Sequence, residues 1–349
     1  MISNNDLLKA LSQVMDPELG RNIVELTMVR DLKFADGLVS FTLALTVPTC
    51  PLREHIASDA RKVLMALPEV KQVDITFGAM TDEERSRILG NAKPTLPKLN
   101  QFNEVKQVIA VMSGKGGVGK SSVTARLAVA LNRKGYRVGV LDADITGPSI
   151  PKLFGLPAGG LRAAEQGMLP AVTDLGIRVM SINLLVKDDD APVIWRGPMI
   201  TSAIRQFWDE TLWGKLDYLL VDMPPGTSDA AITVVQNLPL DGVVLVSTPQ
   251  DLASMVVRKA VNMLLGLKIA IIGVVENMSY FRCPDTGNLH YVFGPSHAED
   301  IARLAGAPLS VCLPIDPQIA IHCDQGQVEL VNTEELGELV AQVVAFKKA

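Results

Sequence analysis

The sequence has no long apolar run, few cysteines and no excess of basic residues. None of its apolar stretches approaches the roughly 18 residues that a transmembrane helix requires, so we expect no membrane partner. Four cysteines in 349 residues are too few and too scattered for a disulfide scaffold. The formal net charge of −5 leaves no basic surplus to neutralise phosphates, which argues against a nucleic-acid partner. The N-terminal residues MISNNDLLKA lack the basic and apolar parts of a secretion signal, and we therefore expect a cytoplasmic protein.

The sequence does contain enough apolar residues for a large core, distributed over two regions. Hydrophobic residues make up 48% of the chain, and its 349 residues suit two domains better than one. Residues 81–104 combine charges, Asn, Gly and two prolines without a sustained apolar period, which is typical of a linker. We therefore predict a small domain over residues 1–80 and a larger domain over residues 105–349.

The two regions differ in their pattern of strands and helices. In residues 1–80, helical and strand patterns alternate over a short length, which indicates a small α+β domain. In residues 105–349, short and continuously apolar strands alternate with helical segments, which is typical of a parallel sheet covered by helices on both faces. The expected strands of this α/β domain are 108–112, 138–141, 218–221, 243–246, 270–275 and 309–313, and the expected helices are 121–134, 200–210 and 253–265.

A glycine-rich segment joins the first of these strands to the first helix. It reads GKGGVGKS and fits the phosphate-binding pattern G-x-x-x-x-G-K-[ST]. Its glycines let backbone N–H groups turn inward around phosphate oxygens, and the positive end of the following helix adds to the attraction. Lys120 is expected to reach the β- and γ-phosphates, and the Ser121 hydroxyl to bind Mg²⁺. The predicted nucleotide-binding residues here are Gly114, Lys115, Gly116, Gly117, Val118, Gly119, Lys120, Ser121 and Ser122.

Two further strands end in aspartates that suit nucleotide hydrolysis. Asp222 closes the apolar run in YLLVDMPPGTSD, where a carboxylate would orient Mg²⁺ through water. In GVLDADITGPS, Asp144 lies just beyond a strand end and is expected to position the attacking water. Asp142, at the strand end itself, is expected to anchor the phosphate loop or to contact the water shell of the metal. The alternative for Asp142 and Asp144 is a helix-capping role.

The loop GKGGVGKS resembles the deviant phosphate-binding loop of the MinD, ParA and nitrogenase iron protein class. In that class the early lysine crosses a dimer interface and contacts the nucleotide of the other subunit. The resemblance implies a homodimer in which Lys115 acts in catalysis together with Lys120 and Asp144, by neutralising charge on the partner's phosphates. Without that role, Lys115 would be a solvated side chain in a flexible loop.

Further segments narrow the resemblance to the Mrp/ApbC family of iron–sulfur cluster carrier ATPases. They span most of residues 105–345 and read DADITGPSIPKLFGL, WRGPM, YLLVDMPPGTSD, VVENMSYFRCPDTG and LPIDP. The segments VMDPELGRNIVELTMVRDL and LTVPTCPLREHI resemble the iron–sulfur assembly domain that many bacterial members carry at their N-terminus. The resemblance implies a P-loop NTPase fold, recognition of adenine by Asn277, and closure of Pro314 and Asp316 over the ring.

The chain departs from that family at the expected metal site. The family carries a Cys-x-x-Cys pair after the NMS segment, so that two subunits offer four thiolates to one cluster. Here Cys283 holds the first position and Thr286 the second, and a neutral hydroxyl is a poor iron ligand. Three interpretations stay open. A cluster could bridge two Cys283 side chains, completed by Asp285, His290 or an outside thiol; it could bind at another cysteine; or the protein could act without a cluster.

The other cysteines carry weaker signals. Cys50, in PTCPL, matches the cysteine of the assembly-domain motif, and a position near a helix N-terminus would favour its thiolate and suit cluster handling. A small buried apolar residue is the equal alternative for Cys50. Cys312 lies in an apolar strand and is expected in the core. Cys323 follows His322, but adjacent side chains often point apart, and no site is predicted there.

The leading hypothesis is an ATP-binding and slowly ATP-hydrolysing homodimer that transfers iron–sulfur clusters. Its cofactors would be ATP, Mg²⁺ and an iron–sulfur cluster, and its partners apo iron–sulfur proteins or cluster scaffold proteins. The nucleotide state would change the subunit geometry and thereby the affinity for the cluster. The main alternative is a MinD/ParA-like positioning or scaffold ATPase without a cluster. The C-terminal segment ELGELVAQVVAFKKA has few basic residues, unlike a membrane-binding helix.

Overall fold

A computed structural model describes residues 3–16, 21–45, 53–81, 99–185, 197–251 and 255–347. The chain divides into two compact units, Met1–Thr95 and Leu96–Ala349. Cys50 and most of the segment expected to be a linker lie outside the described residues. Among the residues that are described, no helix is long and apolar enough to cross a membrane.

The described part of the first unit contains two helices, a three-stranded sheet and a two-stranded pair. Its elements are α1 (Asn4–Leu11), β1 (Met15–Asp16), β2 (Arg21–Asn22), β3 (Val29–Ala35), β4 (Leu38–Leu45), α2 (Arg53–Met65) and β5 (Gln72–Ala79). The sheet order is β3-β4-β5, with an antiparallel and then a parallel pair. Ser3 starts α1 through a reciprocal capping box with Asp6. The helices and the sheet bury one common core, which includes Leu7, Phe41 and Ile56.

The second unit is built on a nine-stranded, mainly parallel sheet. The strands of this sheet are β6 (Glu104–Ser113), β7 (Val138–Asp142), β10 (Ala171–Val172), β11 (Arg178–Met180), β12 (Lys215–Asp222), β13 (Gly242–Ser247), β14 (Ala270–Arg282), β15 (Leu289–His290) and β16 (Ser310–Ile315). Two further strands, β8 (Arg162–Ala164) and β9 (Gly167–Leu169), pair with each other in a separate hairpin. The order is β10-β11-β7-β12-β6-β13-β14-β15, and β16 also pairs with β14. Within the described sheet, the antiparallel pairs are β10 with β11 and β14 with β15. The predicted fold class is confirmed.

Helices cover both faces of this sheet. They are α3 (Lys120–Arg133), α4 (Ile150–Leu153), α5 (Gly197–Asp209), α6 (Asp229–Asn237), α7 (Met255–Gly266), α8 (Ala298–Ala305), α9 (Pro317–Asp324) and α10 (Gly337–Ala345). One buried cluster includes Phe207, Trp208 and Trp213, and the other includes Leu127 and Leu339. β7 and β13 are buried along their whole length, and β6 and β12 over their carboxyl-terminal parts, because both faces of the sheet are covered. This burial explains their continuous apolar sequences.

The strand order brings three separate segments to one edge of the sheet. β12 lies between β6 and β7, so that Asp222 at its end is a Cα partner of both Val111 and Asp142. The glycine-rich loop begins directly after β6 ends at Ser113. In α/β proteins of this type, ligands bind outside the carboxyl ends of the parallel strands. The fold therefore places the loop and the strand-end aspartates where a ligand is expected.

Candidate functional site

The glycine-rich loop joins β6 to α3 and uses two glycines in the left-handed region of backbone space. Gly117 has φ of 79° and Gly119, the residue before the helix, has φ of 78°. Residues with a side chain rarely adopt these angles. A Cβ atom on Gly119 would also collide with the Asn277 side-chain amide. Glycine is therefore required at this position both by the backbone and by the neighbouring strand.

Three side chains of α3 converge on the carboxylate of Asp222. The Lys120 Nζ lies 2.7 Å from Asp222 Oδ2. The Ser121 hydroxyl donates to Oδ2 at 2.6 Å, and the Thr124 hydroxyl donates to Oδ1 at 2.6 Å. Asp222 is fully buried and the Lys120 side chain is nearly so, and buried charges are tolerated only when they are paired and hydrogen-bonded. These contacts hold the start of α3 against the end of β12.

Asp142 is the second fully buried carboxylate at this edge. Its Oδ2 accepts the backbone N–H groups of Ser149 at 3.1 Å and Ile150 at 3.2 Å, together with the Ser181 hydroxyl at 3.2 Å. Burial, reinforced by the neighbouring charge of Asp222, raises the pKa of Asp142 to about 8. These contacts tie the end of β7 to the start of α4; among the described residues, the hydrogen bonds of Asp142 do not reach the phosphate loop.

Asp144 and Lys115 lie where the loop faces open space. They line a cavity of about 250 Å³ together with the glycines of the loop and with Lys120. The Oδ1 atom of Asp144 accepts the Thr146 hydroxyl at 3.0 Å and the Gly147 N–H at 3.2 Å, which fixes the carboxylate at the rim. Lys115 is exposed. The cavity therefore brings two cationic side chains and one carboxylate to the space in front of the loop.

A second cavity, of about 270 Å³, lies beyond the start of α3; we call it the side pocket. It shares Gly119 and Ser122 with the first cavity, so the two cavities adjoin along the helix. The three residues that the sequence associated with adenine, Asn277, Pro314 and Asp316, all line it. The Asn277 amide donates to the carbonyl of Val118 at 2.9 Å. Asp316 caps α9 by accepting the Gln318 N–H at 2.8 Å.

The sequence motifs missed three residues of this region, Thr124, Arg126 and Cys323. Thr124 holds Asp222, while Arg126 and Cys323 line the side pocket. Cys323 lies 3.8 Å from the Ser122 hydroxyl, and burial raises the pKa of its thiol. Helical spacing could have indicated two of them, because Thr124 follows Lys120 by four positions and Arg126 follows Ser122 by four.

Cys283 lies in a separate turn beyond the end of β14. Its N–H donates to the carbonyl of Asn288 at 2.9 Å, and its own carbonyl accepts the Gly287 N–H at 2.8 Å. The hydrogen bond from the Thr286 side chain lowers the pKa of the Cys283 thiol. The turn leads into an exposed apolar stretch with the side chains of Leu289, Tyr291, Val292 and Phe293. Thr286 thus serves as a donor to the sulfur in this structure.

The remaining described cysteine, Cys312, is half-buried on β16 rather than deep in the core. Its sulfur lies 3.2 Å from the Ser296 hydroxyl, close to the buried carboxylate of Glu276. Glu276 is the Cα partner of Cys312 on β14, and Ser296 lies just before α8. Cys283 and Cys312 are therefore both accessible in part, whereas Cys323 is buried.

Two family models match the chain. Residues 104–346 match the model described as NUBPL iron-transfer P-loop NTPase, and residues 4–76 match the model described as iron–sulfur cluster assembly protein. An iron–sulfur cluster carrier protein of Synechocystis is 42% identical over 352 aligned residues, covering 100% of this chain and 97% of the relative. The chloroplastic Fe–S cluster assembly factor HCF101 of Arabidopsis thaliana is 38% identical over 95% of this chain and 60% of its own length.

Solved structures resemble the second unit. A nucleotide-binding protein of Archaeoglobus fulgidus in complex with ADP has a TM-score of 0.61 and 45% identity, covering 66% of this chain and 91% of its own. MinD of Pyrococcus horikoshii complexed with Mg-ADP has a TM-score of 0.50 and 20% identity, covering 69% of this chain and 98% of its own. At that identity the likeness to MinD concerns the fold alone.

Proposed function

Because the chain belongs to the NUBPL iron-transfer P-loop NTPase family, we propose that it is an ATP-hydrolysing homodimer that carries iron–sulfur clusters to apoproteins. The observation that carries the proposal is the convergence of Lys120, Ser121 and Thr124 on buried Asp222, beside a cavity at the loop. In this proposal residues 1–80 form an assembly-type domain, residues 81–104 a linker and residues 105–349 the ATPase. The protein acts in the cytoplasm.

The proposed nucleotide site follows the two adjoining cavities. The phosphates occupy the cavity at the loop, where backbone N–H groups and the start of α3 provide positive potential. The nucleoside occupies the side pocket, against Asn277, Pro314 and Asp316. The shared residues Gly119 and Ser122 then lie beside the α-phosphate, at the junction of the two cavities. Lys120 exchanges its contact with Asp222 for the β- and γ-phosphates.

Ser121 and Asp222 are a suitable pair for Mg²⁺. Their oxygens lie 2.6 Å apart, with Ser121 lining the cavity and Asp222 buried behind it. A hydroxyl and a carboxylate are hard ligands of the kind that Mg²⁺ accepts alongside phosphate oxygens and water. When bound, the ion neutralises charge on the β- and γ-phosphates. Asp144, held at the cavity rim by Thr146 and Gly147, orients the attacking water.

The proposed dimer depends on Lys115. The side chain is exposed at the mouth of the phosphate cavity, where a second subunit facing the loop would meet it. In the proposed closed dimer, Lys115 of each subunit contacts the phosphates of the partner and stabilises the charge that develops during hydrolysis. Closure therefore depends on ATP, and opening follows loss of the γ-phosphate.

The cargo site of the proposal is Cys283. Hydrogen bonding from Thr286 stabilises the thiolate, the form that binds iron. The exposed apolar side chains of Tyr291 and Val292 lie just beyond β15, which follows this turn, and contact between two subunits there would bring two Cys283 sulfurs together. A cluster held by these two thiolates takes its remaining ligands from Asp285, His290 or an external thiol.

The test is anaerobic reconstitution with iron and sulfide, followed by iron, sulfide and visible absorption measured per dimer. The wild type is compared with Cys283→Ala and with Cys312→Ala, which removes the other half-buried thiol. We expect the wild type and Cys312→Ala to retain a cluster and Cys283→Ala to lose it. If all three hold no iron but bind ATP, the MinD/ParA-like scaffold alternative is favoured, for which Thr286 in the second ligand position is the supporting observation.

A further inference from the structure

Arg126 is a buried cation on the second turn of α3 that no sequence motif indicates. Its side chain is 2% exposed, and its Nη2 lies 3.2 Å from the Glu335 carboxylate, which is itself 42% exposed. The guanidinium Nε is buried and has no hydrogen-bond partner among the described residues. The ion pair therefore uses Nη2 of the guanidinium, and the Nε–H donor is left unsatisfied among the described residues.

The position of Arg126 relates it to the proposed nucleotide site. The side chain lines the side pocket together with Asn277, Asp316 and Cys323. Ser122, one helical turn earlier on the same face, borders both this pocket and the phosphate cavity. Six residues separate Arg126 from Lys120, which is about 9 Å along the helix axis at 1.5 Å per residue. Arg126 thus lies further along the helix than the residues assigned to the β- and γ-phosphates, at the cavity assigned to the nucleoside.

The unsatisfied donor needs an explanation, because buried N–H groups without a partner destabilise a folded protein and are rare. A purely structural arginine that tied α3 to the segment at Glu335 would need only the Nη contact. A donor at the wall of a pocket gains a partner when a ligand with a hydrogen-bond acceptor enters. A nucleoside provides such acceptors on its ribose hydroxyls and on its ring nitrogens.

We propose that Arg126 is a nucleoside-recognition residue, which donates from its guanidinium to an acceptor on the ribose or the base of the bound nucleotide. This inference rests on the proposed function, because it needs a nucleotide in the two adjoining cavities. It goes beyond that function by dividing the free energy of ATP binding into a phosphate contribution and a nucleoside contribution. The loop binds the phosphates of any polyphosphate, and Arg126 makes the binding selective for a nucleoside.

The experiment uses the full-length chain and compares ATP with inorganic tripolyphosphate, which has no nucleoside, by titration calorimetry with Mg²⁺. Arg126→Met keeps an unbranched apolar stem but removes the guanidinium donors. We expect it to weaken ATP binding about tenfold, as loss of one charged hydrogen bond does, and to leave tripolyphosphate within about twofold. Equal weakening of both ligands, or of neither, would overturn the inference.

Glu335→Gln is the matched control, because it removes the ion pair of Arg126 without touching the pocket. We expect it to change the affinity for ATP by less than about twofold. If it weakens ATP as much as Arg126→Met does, Arg126 acts through packing and the inference is wrong. A wild type that binds neither ATP nor tripolyphosphate would instead contradict the proposed function itself.

Analogues tested on the wild type avoid any dependence on how the variant folds. The probes are 2′-deoxy-ATP, 3′-deoxy-ATP, 3-deaza-ATP and 7-deaza-ATP, each lacking one acceptor. We expect one of them to bind about tenfold more weakly than ATP to the wild type and as well as ATP to Arg126→Met. That pattern identifies the atom that Arg126 recognises. If no analogue loses affinity in the wild type, Arg126 makes no such contact and the inference fails.

Discussion

The Lys120 ammonium lies 2.7 Å from the Asp222 carboxylate, and both side chains are buried. They come from the first residue of α3 and the last residue of β12, which are 102 positions apart in the chain. The same carboxylate also accepts the hydroxyls of Ser121 and Thr124. The contact therefore holds the phosphate loop against the sheet, and it connects the stability of the folded protein with the site of hydrolysis.

Asp222→Asn should lower both the stability of the folded protein and the rate of ATP hydrolysis. The asparagine still accepts hydrogen bonds, but Lys120 loses its buried counter-ion, so we expect the free energy of unfolding to fall by about 3 kcal/mol. ATP hydrolysis should fall at least about 100-fold, because the metal pair with Ser121 is lost. Urea unfolding followed by tryptophan fluorescence and a phosphate-release assay measure the two effects.

Thr124→Val is the control for that prediction. It removes one neutral hydroxyl from the same carboxylate and leaves the charges of Lys120 and Asp222 in place. We expect it to cost about 1 kcal/mol of stability and to keep most of the hydrolysis rate. Equal losses of activity in both variants would contradict the assigned role of Asp222 in the metal site.

Mixing two inactive variants should restore hydrolysis if Lys115 acts on the phosphates of the partner. Lys115→Ala keeps Asp144, and Asp144→Asn keeps Lys115, so a mixed dimer has one complete site. With random pairing, half of the dimers are mixed, and one of the two sites in each mixed dimer is complete. A quarter of all sites is then complete, which predicts about a quarter of wild-type activity. The measurement is the rate of phosphate release at increasing ratios of the two chains.

Each variant alone should be nearly inactive while retaining ATP affinity, since neither change removes Lys120 or the loop. A mixture that stays as inactive as its components would mean that Lys115 acts within its own subunit or not at all. Asp144→Asn mixed with Lys120→Ala provides the control, because both residues act within their own subunit and every site of the mixed dimer therefore keeps one lesion. That mixture should therefore show how much activity arises without complementation.

Thr286→Cys should increase the retention of a cluster by the dimer. It completes a Cys-x-x-Cys pair with Cys283 and replaces a neutral hydroxyl by a thiolate, so that two subunits offer four thiolates rather than two. We expect slower loss of iron to a chelator than in the wild type, by about tenfold or more. Thr286→Ser keeps the hydroxyl and should behave as the wild type; a faster loss from Thr286→Cys would argue against this turn as the cargo site.

Asp217 should contribute to stability in a pH-dependent way. Its side chain is 15% exposed and accepts from the Arg137 guanidinium and backbone and from Lys106. Hydrogen bonding from Arg137 holds the pKa of Asp217 well below its usual range. The folded protein therefore binds fewer protons than the unfolded chain, and this stabilisation is present above the unfolded pKa of about 4 and is lost as the pH falls.

Asp217→Asn should lower the free energy of unfolding by about 1 kcal/mol at pH 7 and reduce its loss between about pH 5 and pH 3. Tryptophan fluorescence in urea at a series of pH values measures both quantities. Asp300→Asn is the comparison, because its contact with Arg303 is 3.4 Å long and both side chains are exposed. If both variants show the same pH profile as the wild type, the pairing of Asp217 carries no stability.

The phosphate loop could be predicted from the sequence because its requirements are local. Glycines that adopt positive φ, a lysine and a serine at the start of a helix, and an apolar strand before them all lie within about twenty consecutive residues. Continuous apolar strands likewise indicate burial on both faces, whatever their order in the sheet. The replacement of the second cysteine of the Cys-x-x-Cys pair was also evident from the sequence, since it concerns only the residue types at positions 283 and 286.

Tertiary structure decided which distant residues meet that loop. In a parallel sheet each strand is followed by a crossover, so position along the chain does not reveal which strands are neighbours. The pairing of β12 with both β6 and β7 places Asp222 under Lys120 and beside Asp142. The packing of α9 against the start of α3 places Cys323 next to Ser122. Burial of Arg126 leaves its Nε without a hydrogen-bond partner in the part of the chain that the structure describes. These relationships depend on packing, which no local pattern encodes.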